Sequence, residues 1–296
     1  MNLTIVVPSY NEEEALNELI PALVEICSEK KWKAVIVNDG SKDGSRRMLD
    51  SFQEESCLTI IHHKINRGYG GAIKTGIINT QTEYVITIDA DGQHYLEDIE
   101  KLVGALRSTE ADLVVGSRKN LKDASWLRSL GKKIIRRLAK IFMTFDIYDI
   151  NSGMKLYRTN LAKRFIPLCP DTMAFSEIMT FLFIFNKHLV VEESIRIKER
   201  MLGKSTITYS TALQTFYEIL NIVILFNPIK IFLPLSIFFI LSGLFWGIPI
   251  VLAGRGVSVG SLLAIISGII FFMIGLIAEQ LSKIRRNIIG DSSSPN

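Results

Sequence analysis

The chain has 296 residues, 48% of them hydrophobic and 22% charged, with a formal net charge of +4. That length fits one large or two modest domains, and the composition excludes a disordered chain, a collagen and a disulfide-stapled mini-protein. Cys27, Cys57 and Cys169 have no metal-ligand spacing and are expected as reduced thiols.

The elements expected in chain order alternate strand and helix. Leu3–Pro8 is a short β-branched run; Glu12–Glu14 then opens a helix whose apolar residues recur at Leu16, Leu19, Ile20, Leu23 and Ile26. Ala34–Val37 reads as the second strand and Ser45–Phe52 as a helix, Leu58–His62 as the third strand and Gly71–Asn79 as a helix. Tyr84–Ile88, the helix Leu96–Leu106 and the strand Asp112–Val115 complete the pattern. Such alternation predicts an α/β fold with a mostly parallel sheet covered on both faces. Ligands of such sheets bind outside the carboxyl ends of the strands.

Polar residues gather at those ends. They are Pro8-Ser9-Tyr10-Asn11-Glu12, Asn38-Asp39-Gly40-Ser41, Asp89-Ala90-Asp91-Gly92-Gln93 and Gly116-Ser117-Arg118. One acidic turn is commonly a helix cap, but four clusters on one edge make a site. Asp89 and Asp91 carry most of the information. Two close carboxylates repel and call for a cation or a shared proton, and Mg²⁺ or Mn²⁺ leaves coordination positions for phosphate oxygens. An EF-hand is excluded, because His94 stands where its glycine belongs. Asn66-Arg67-Gly68-Tyr69-Gly70-Gly71 follows the third strand rather than the first, so it reads as a glycine loop opening a helix, not as a dinucleotide fingerprint. There is no G-x-x-x-x-G-K-[ST] run, and the four histidines form no ligand pattern.

The remainder of the sequence reads as membrane-associated. Lys132, Lys133, Arg136, Arg137 and Lys140 lie beside Ile134, Ile135, Leu138, Ile141, Phe142 and Phe145 at helical spacing, which fits an interfacial amphipathic helix over 132–146. No formal charge occurs from Ile231 to Ala253 or from Val257 to Ala278, and Gly254-Arg255-Gly256 joins the two runs. Each is long enough to cross a hydrocarbon core of about 30 Å, so the pair reads as a transmembrane hairpin. Lys230 precedes it and Lys283, Arg285 and Arg286 follow it, and an apolar strand pattern begins at Leu3 without a leader. The positive-inside tendency then predicts an N-terminal domain on the cytoplasmic face. The expected division is a cytoplasmic domain over 1–205, a juxtamembrane amphipathic helix over 206–228, spans at 229–253 and 257–280, and a basic tail over 281–296. Membrane lipids are expected partners and nucleic acid is not, since the N-terminal part is near neutral. Gly243, Gly247, Gly268 and Gly275 suggest close helix contacts between copies in a homo-oligomer.

Taken together, Val7-Pro8-Ser9-Tyr10-Asn11-Glu12, Asn38-Asp39-Gly40-Ser41, Asp89-Ala90-Asp91-Gly92-Gln93 and Gly116-Ser117-Arg118 resemble a family 2 glycosyltransferase of GT-A fold through about residue 205. With the two C-terminal runs, the chain is similar to the polyprenol-phosphate mannosyl- and glucosyltransferases. The resemblance implies transfer of a hexose from a UDP- or GDP-sugar to a polyprenyl phosphate, with inversion. It implies Pro8, Tyr10, Glu12, Val37, Asp39 and Ala90 around the nucleotide sugar, and Asp89, Asp91 and Gln93 at a Mg²⁺ or Mn²⁺ ion. Arg118 matches a basic residue facing phosphate. Arg200-Met201-Leu202-Gly203-Lys204-Ser205 resembles the family's phosphate-closing loop, in which Arg200 and Lys204 supply the charge. Asp91, Arg118 and Arg200 are thus the expected catalytic set.

The implied chemistry needs no strong base, because a lipid phosphate with a second pKa of about 6 is already anionic. Many relatives carry an acid where this sequence has Met154, so Asp149 and Glu177 are the remaining base candidates, each equally suited to a structural role. Two other readings share the fold. A processive polysaccharide synthase normally has a Gln-x-x-Arg-Trp motif, and no glutamine here precedes Arg-Trp in that way. A non-catalytic membrane module would not need Asp89, Asp91, Arg118 and Arg200 together.

Overall fold

The computed structural model describes residues 1–118, 147–198, 224 and 228–291, with side chains through residue 284. These fall into two compact units, the N-terminal α/β unit and a C-terminal helical pair. The expected interfacial helix over 132–146, Arg200, Lys204 and nearly all of 206–228 lie outside the described residues.

Strand β1 (Leu3–Ser9) is buried at every position, as an apolar β-branched run must be when both faces of a sheet are covered. Helix α1 (Glu13–Lys30) buries Leu16, Leu19, Ile20, Leu23 and Cys27 on one stripe and keeps Glu13 and Glu14 in its first turn, where the helix dipole favours them. It ends at Lys31 in the left-handed region. Then follow β2 (Lys33–Asn38), α2 (Ser45–Asp50), β3 (Leu58–His62), α3 (Tyr69–Ile78), β4 (Tyr84–Thr87), α4 (Asp98–Thr109) and β5 (Leu113–Ser117). After the undescribed stretch come β6 (Lys155–Arg158), α5 (Thr159–Phe165), α6 (Phe175–Phe185) and β7 (Val190–Ser194).

The seven strands form one sheet in the order β3-β2-β1-β4-β6-β5-β7. Strand β6 is antiparallel to β4 and β5; the other pairings are parallel. The expected α/β class with a mostly parallel sheet is therefore the observed one, enlarged by β6 and β7, which the sequence pattern did not reveal. Two consequences place the site. The chain runs outward from β1 through β2 to β3 and then returns to β4 on the other side of β1, so β1 and β4 flank a topological switch point. Because β6 runs against β4, the residues that precede it, Asn151–Gly153, arrive at the same sheet edge as the residues that follow β4.

The second unit is a pair of apolar helices, α7 (Ile229–Leu252) and α8 (Val259–Asp291). Both are long and apolar enough to cross a membrane, with mean hydropathies of 2.3 and 2.6 over their candidate spans. Their seam is built on small residues. A Cβ on Gly243 would lie 2.8 Å from the Ser261 carbonyl oxygen, and one on Gly268 2.9 Å from that of Ser236. Gly247 meets Ser261, and Gly275 meets Phe232. The four glycines expected to mediate contacts between copies face the other helix of their own hairpin, which is where two backbones approach most closely.

Candidate active site at the carboxyl edge of the sheet

A cavity of about 460 Å³ opens at the switch point. Pro8, Ser9, Tyr10 and Glu12 line it from the end of β1, Asp39 from β2, and Asp89, Ala90 and Asp91 from β4. The loops after β1 and β2 are laced together: the Asn11 amide donates to Ser41 Oγ at 2.9 Å and the Lys42 amide to Asn11 Oδ1 at 2.8 Å. Of the residues anticipated from sequence, Pro8, Tyr10, Glu12, Asp39, Asp89, Ala90 and Asp91 meet around this space. Val37, Gln93 and Arg118 are not among its lining residues. Val37 is fully buried in β2.

Asp39 does more than line the wall. Its carboxylate is almost fully buried; Oδ1 accepts the Arg67 amide at 2.9 Å and Oδ2 the Gly68 amide at 2.8 Å. His63 Nδ1 lies 2.6 Å from Oδ1, and since a carboxylate only accepts, that nitrogen carries the hydrogen. Asp39 thus fixes the glycine loop that leads into α3. Helix α3 begins at Tyr69, ahead of the expected Gly71, because the Asp171 carbonyl accepts the Gly70 and Gly71 amides. Asn66, Gly68, Tyr69 and Ala72 then join the cavity wall.

Tyr69 links this loop to the acidic pair. Its hydroxyl donates to Asp89 Oδ1 at 2.8 Å. Burial, reinforced by the nearby Asp89 charge, pushes the phenol pKa well above its usual value, so it remains a donor. The Asp89 amide points at His94 Nδ1 at 3.3 Å, and burial lowers the His94 pKa. Asp91 caps its own turn, Oδ1 accepting the Gln93 amide at 3.1 Å. Gly153 lies directly against Asp89: a Cβ there would collide with the carboxylate. Sequence reasoning missed Tyr69, Asn151, Gly153, Met173 and Ser176; the glycine run 68–71 was the one signal of close approach.

The donor set suits a hard divalent cation. Asp89 and Asp91 bring only carboxylate oxygens to one cavity, and Asp89 Oδ1 is already oriented by a phenol. Among the described residues no group of three or more His, Cys, Asp or Glu side chains is positioned to hold a metal alone. A cation here would complete its shell with ligand and water oxygens, which is how Mg²⁺ commonly sits on phosphates.

Arg118 is engaged with protein. Nε and Nη2 donate to the two oxygens of Asp149 at 2.6 and 2.8 Å, a bidentate pair. Burial alone would raise the Asp149 pKa, yet the Arg118 guanidinium outweighs it and the pKa is lowered. Glu192 Oε1 in turn accepts the Tyr148 and Asp149 amides, each at 2.7 Å.

Residues 4–166 match the family model for glycosyl transferase family 2, and residues 227–284 match that for the GtrB C-terminal hairpin. Among solved structures, Staphylococcus aureus TarS residues 1–349 in complex with UDP is similar at 17% identity and a TM-score of 0.53, over 76% of this chain and 64% of that one. The chain thus spans less than two thirds of that protein's crystallised length. Glucosyl-3-phosphoglycerate synthase from Mycobacterium tuberculosis, in complex with Mn²⁺, UDP and phosphoglyceric acid, is similar at 15% identity and a TM-score of 0.56, over 75% of this chain and 78% of that one. At such identities the likeness shows a shared GT-A fold. The cavity at the switch point, its acidic pair and a family match over more than half of the residues agree: the chain belongs to glycosyl transferase family 2 and ends in a GtrB-type hairpin.

Proposed function

We propose that this protein moves a hexose from a UDP- or GDP-sugar to a membrane polyprenyl phosphate, inverting the anomeric carbon. The observation that carries this reading is the presence on one chain of an acid-lined cavity in a family 2 domain and a GtrB-type hairpin. TarS bound to UDP and the mycobacterial synthase bound to Mn²⁺ and UDP support a nucleoside diphosphate in the equivalent fold.

In this reading Pro8, Tyr10 and Glu12 receive the nucleoside, and Asp39 shapes the same wall through the 66–68 loop. Asp89 and Asp91 would hold Mg²⁺ or Mn²⁺, with Gln93 beside them, and such an ion would supply positive charge against a departing diphosphate. Arg200 and Lys204 add cations to the phosphates. The chain leading toward them is tied to the acidic turn at Lys198, whose amide donates to the Gln93 carbonyl at 2.9 Å. Arg118 anchors Asp149 and the loop toward β6, a positioning duty. A carboxylate held by a guanidinium with a lowered pKa is a weak base, which fits an acceptor that is already anionic. Domain limits follow the sequence: 1–205 catalytic and cytoplasmic, 132–146 and 206–228 at the interface, spans at 229–253 and 257–280, and a basic tail at 281–296.

The test is to incubate the purified full chain with radiolabelled UDP- or GDP-hexoses, polyprenyl phosphate and Mg²⁺ or Mn²⁺. Label in an organic-extractable, mild-acid-labile product is expected. Long polymer, or bound nucleotide without transfer, overturns the proposal.

A further inference from the structure

Lys155 stands in the middle of the sheet, paired with Thr87 of β4 and Val115 of β5, and its side chain is wholly buried. A buried ammonium is costly unless each of its protons is accepted. Here Nζ lies 2.6 Å from the Ile150 carbonyl oxygen, 2.7 Å from that of Ser176 and 2.7 Å from Ser176 Oγ. The Ser176 hydroxyl donates its own hydrogen to the Ser152 carbonyl at 2.7 Å, so it can only accept from Lys155. The three acceptors match the three protons of the ammonium form. Burial pulls the Lys155 pKa down; the Glu177, Asp149 and Asp89 carboxylates oppose that, and Arg118 adds to it.

The groups so tied come from separate parts of the chain. Ile150 and Ser152 belong to the loop before β6, and Ser176 to the first turn of α6. Asn151, Gly153 and Ser176 line the cavity, whereas Lys155 does not. Gly153 is further held by the Thr87 hydroxyl, which donates to its carbonyl at 2.8 Å, and its α-carbon abuts the Asp89 carboxylate. Any shift of this loop is therefore transmitted to Asp89. By strand order the wall stands on the β6 side of β4, away from the β1 and β2 ends that carry Pro8, Tyr10 and Asp39.

We propose that Lys155 is a positioning residue for the transfer step: it clamps the 150–153 loop to α6 and so fixes the β6-side wall of the cavity against Asp89. This rests on the glycosyltransferase reading above. It separates the wall that sets transfer from the wall that binds nucleoside.

The experiment uses the full chain in lipid nanodiscs. Lys155→Met should lower kcat by about tenfold to a hundredfold, as misplaced catalytic groups do, and weaken UDP binding by clearly less than that. Lys155→Arg, which retains the cation, should recover most of the rate. Hydrogen exchange in Lys155→Met should rise in peptides covering 150–154 and 174–177 and stay unchanged in 3–9 and 33–38. If Lys155→Met does not fold, Ser176→Ala replaces it, with the same split expected at smaller size. Unchanged exchange, an unchanged kcat, or a loss of UDP affinity equal to the loss of kcat overturns the inference alone. A wild-type protein that transfers no sugar from any donor overturns the functional reading, and the inference with it.

Discussion

The Tyr69 hydroxyl and the Asp89 carboxylate are joined by a 2.8 Å hydrogen bond, and Tyr69 is presented by a loop whose Arg67 and Gly68 amides end on Asp39. The acid at the end of β2 and the acid at the end of β4 are therefore coupled through one short segment. A change at Asp39 can thus be felt at Asp89 through the 67–69 segment.

Tyr69→Phe removes the hydroxyl while keeping the ring that fills the wall. A buried hydrogen bond to a charged acceptor contributes roughly 1.5–3 kcal/mol, and loss of such outer partners typically weakens metal sites by about tenfold or more. The expected result is a higher Mn²⁺ or Mg²⁺ concentration for half-maximal transfer with nearly unchanged thermal stability of the hairpin. Metal titrations of initial rate check this.

Asp39→Asn replaces one acceptor oxygen by an NH2 group that faces the amides of the glycine loop or the His63 Nδ1 hydrogen. Leaving buried donors unmatched costs about 1–3 kcal/mol. Thermal unfolding should fall accordingly, and donor KM should rise more than kcat falls. A variant with unaltered stability and donor KM would contradict the anchoring role.

Acid sensitivity follows from two carboxylates. Burial by itself would raise the pKa of Asp98, but Lys101 and Arg196 outweigh it, and Asp149 is lowered by Arg118 in the same way. Both folded-state values lie below the ordinary 3.8, so both acids contribute stability above that pH and lose it as pH falls through their folded values. Unfolding temperature measured against pH should therefore drop below about pH 4. Asp98→Asn should lower stability at neutral pH and flatten that acid limb.

Most of the fold was legible because periodicity carried it. Strands β1, β2, β4 and β5 are apolar runs buried along nearly all their length, β3 is the half-buried edge strand, and α1 shows its stripe from Leu16 to Cys27. Strand β6 was hidden: it has four residues and begins with a lysine, which reads as surface until its three buried acceptors are seen. The acid pair and the β1 and β2 ends were legible as chemistry at strand termini. Tyr69, Gly153 and Ser176 were not, because their roles depend on Asp171 capping α3 and on β6 reversing direction beside β4. The glycines of the hairpin were legible as contact residues, but sequence could not say which helix they contact.

In the hairpin, Gly268→Leu inserts a branched side chain where even a Cβ would lie 2.9 Å from the Ser236 carbonyl oxygen. Overpacking of a close seam costs about 1–3 kcal/mol. Introduced cysteine pairs across α7 and α8 should crosslink less efficiently in this variant than in its parent. Equal crosslinking would show that the seam does not depend on glycine.

In the proposed function Asp89 and Asp91 hold a divalent cation on a sugar donor whose hexose passes to a lipid phosphate. This assignment is tested most directly by measuring organic-extractable label formed by the wild-type chain and by Asp91→Ala, each with Mn²⁺ and with EDTA. Transfer is expected only for the wild type with Mn²⁺, while Asp91→Ala remains folded and inactive in both conditions. Metal-dependent transfer by Asp91→Ala, or transfer by the wild type in EDTA, would contradict it.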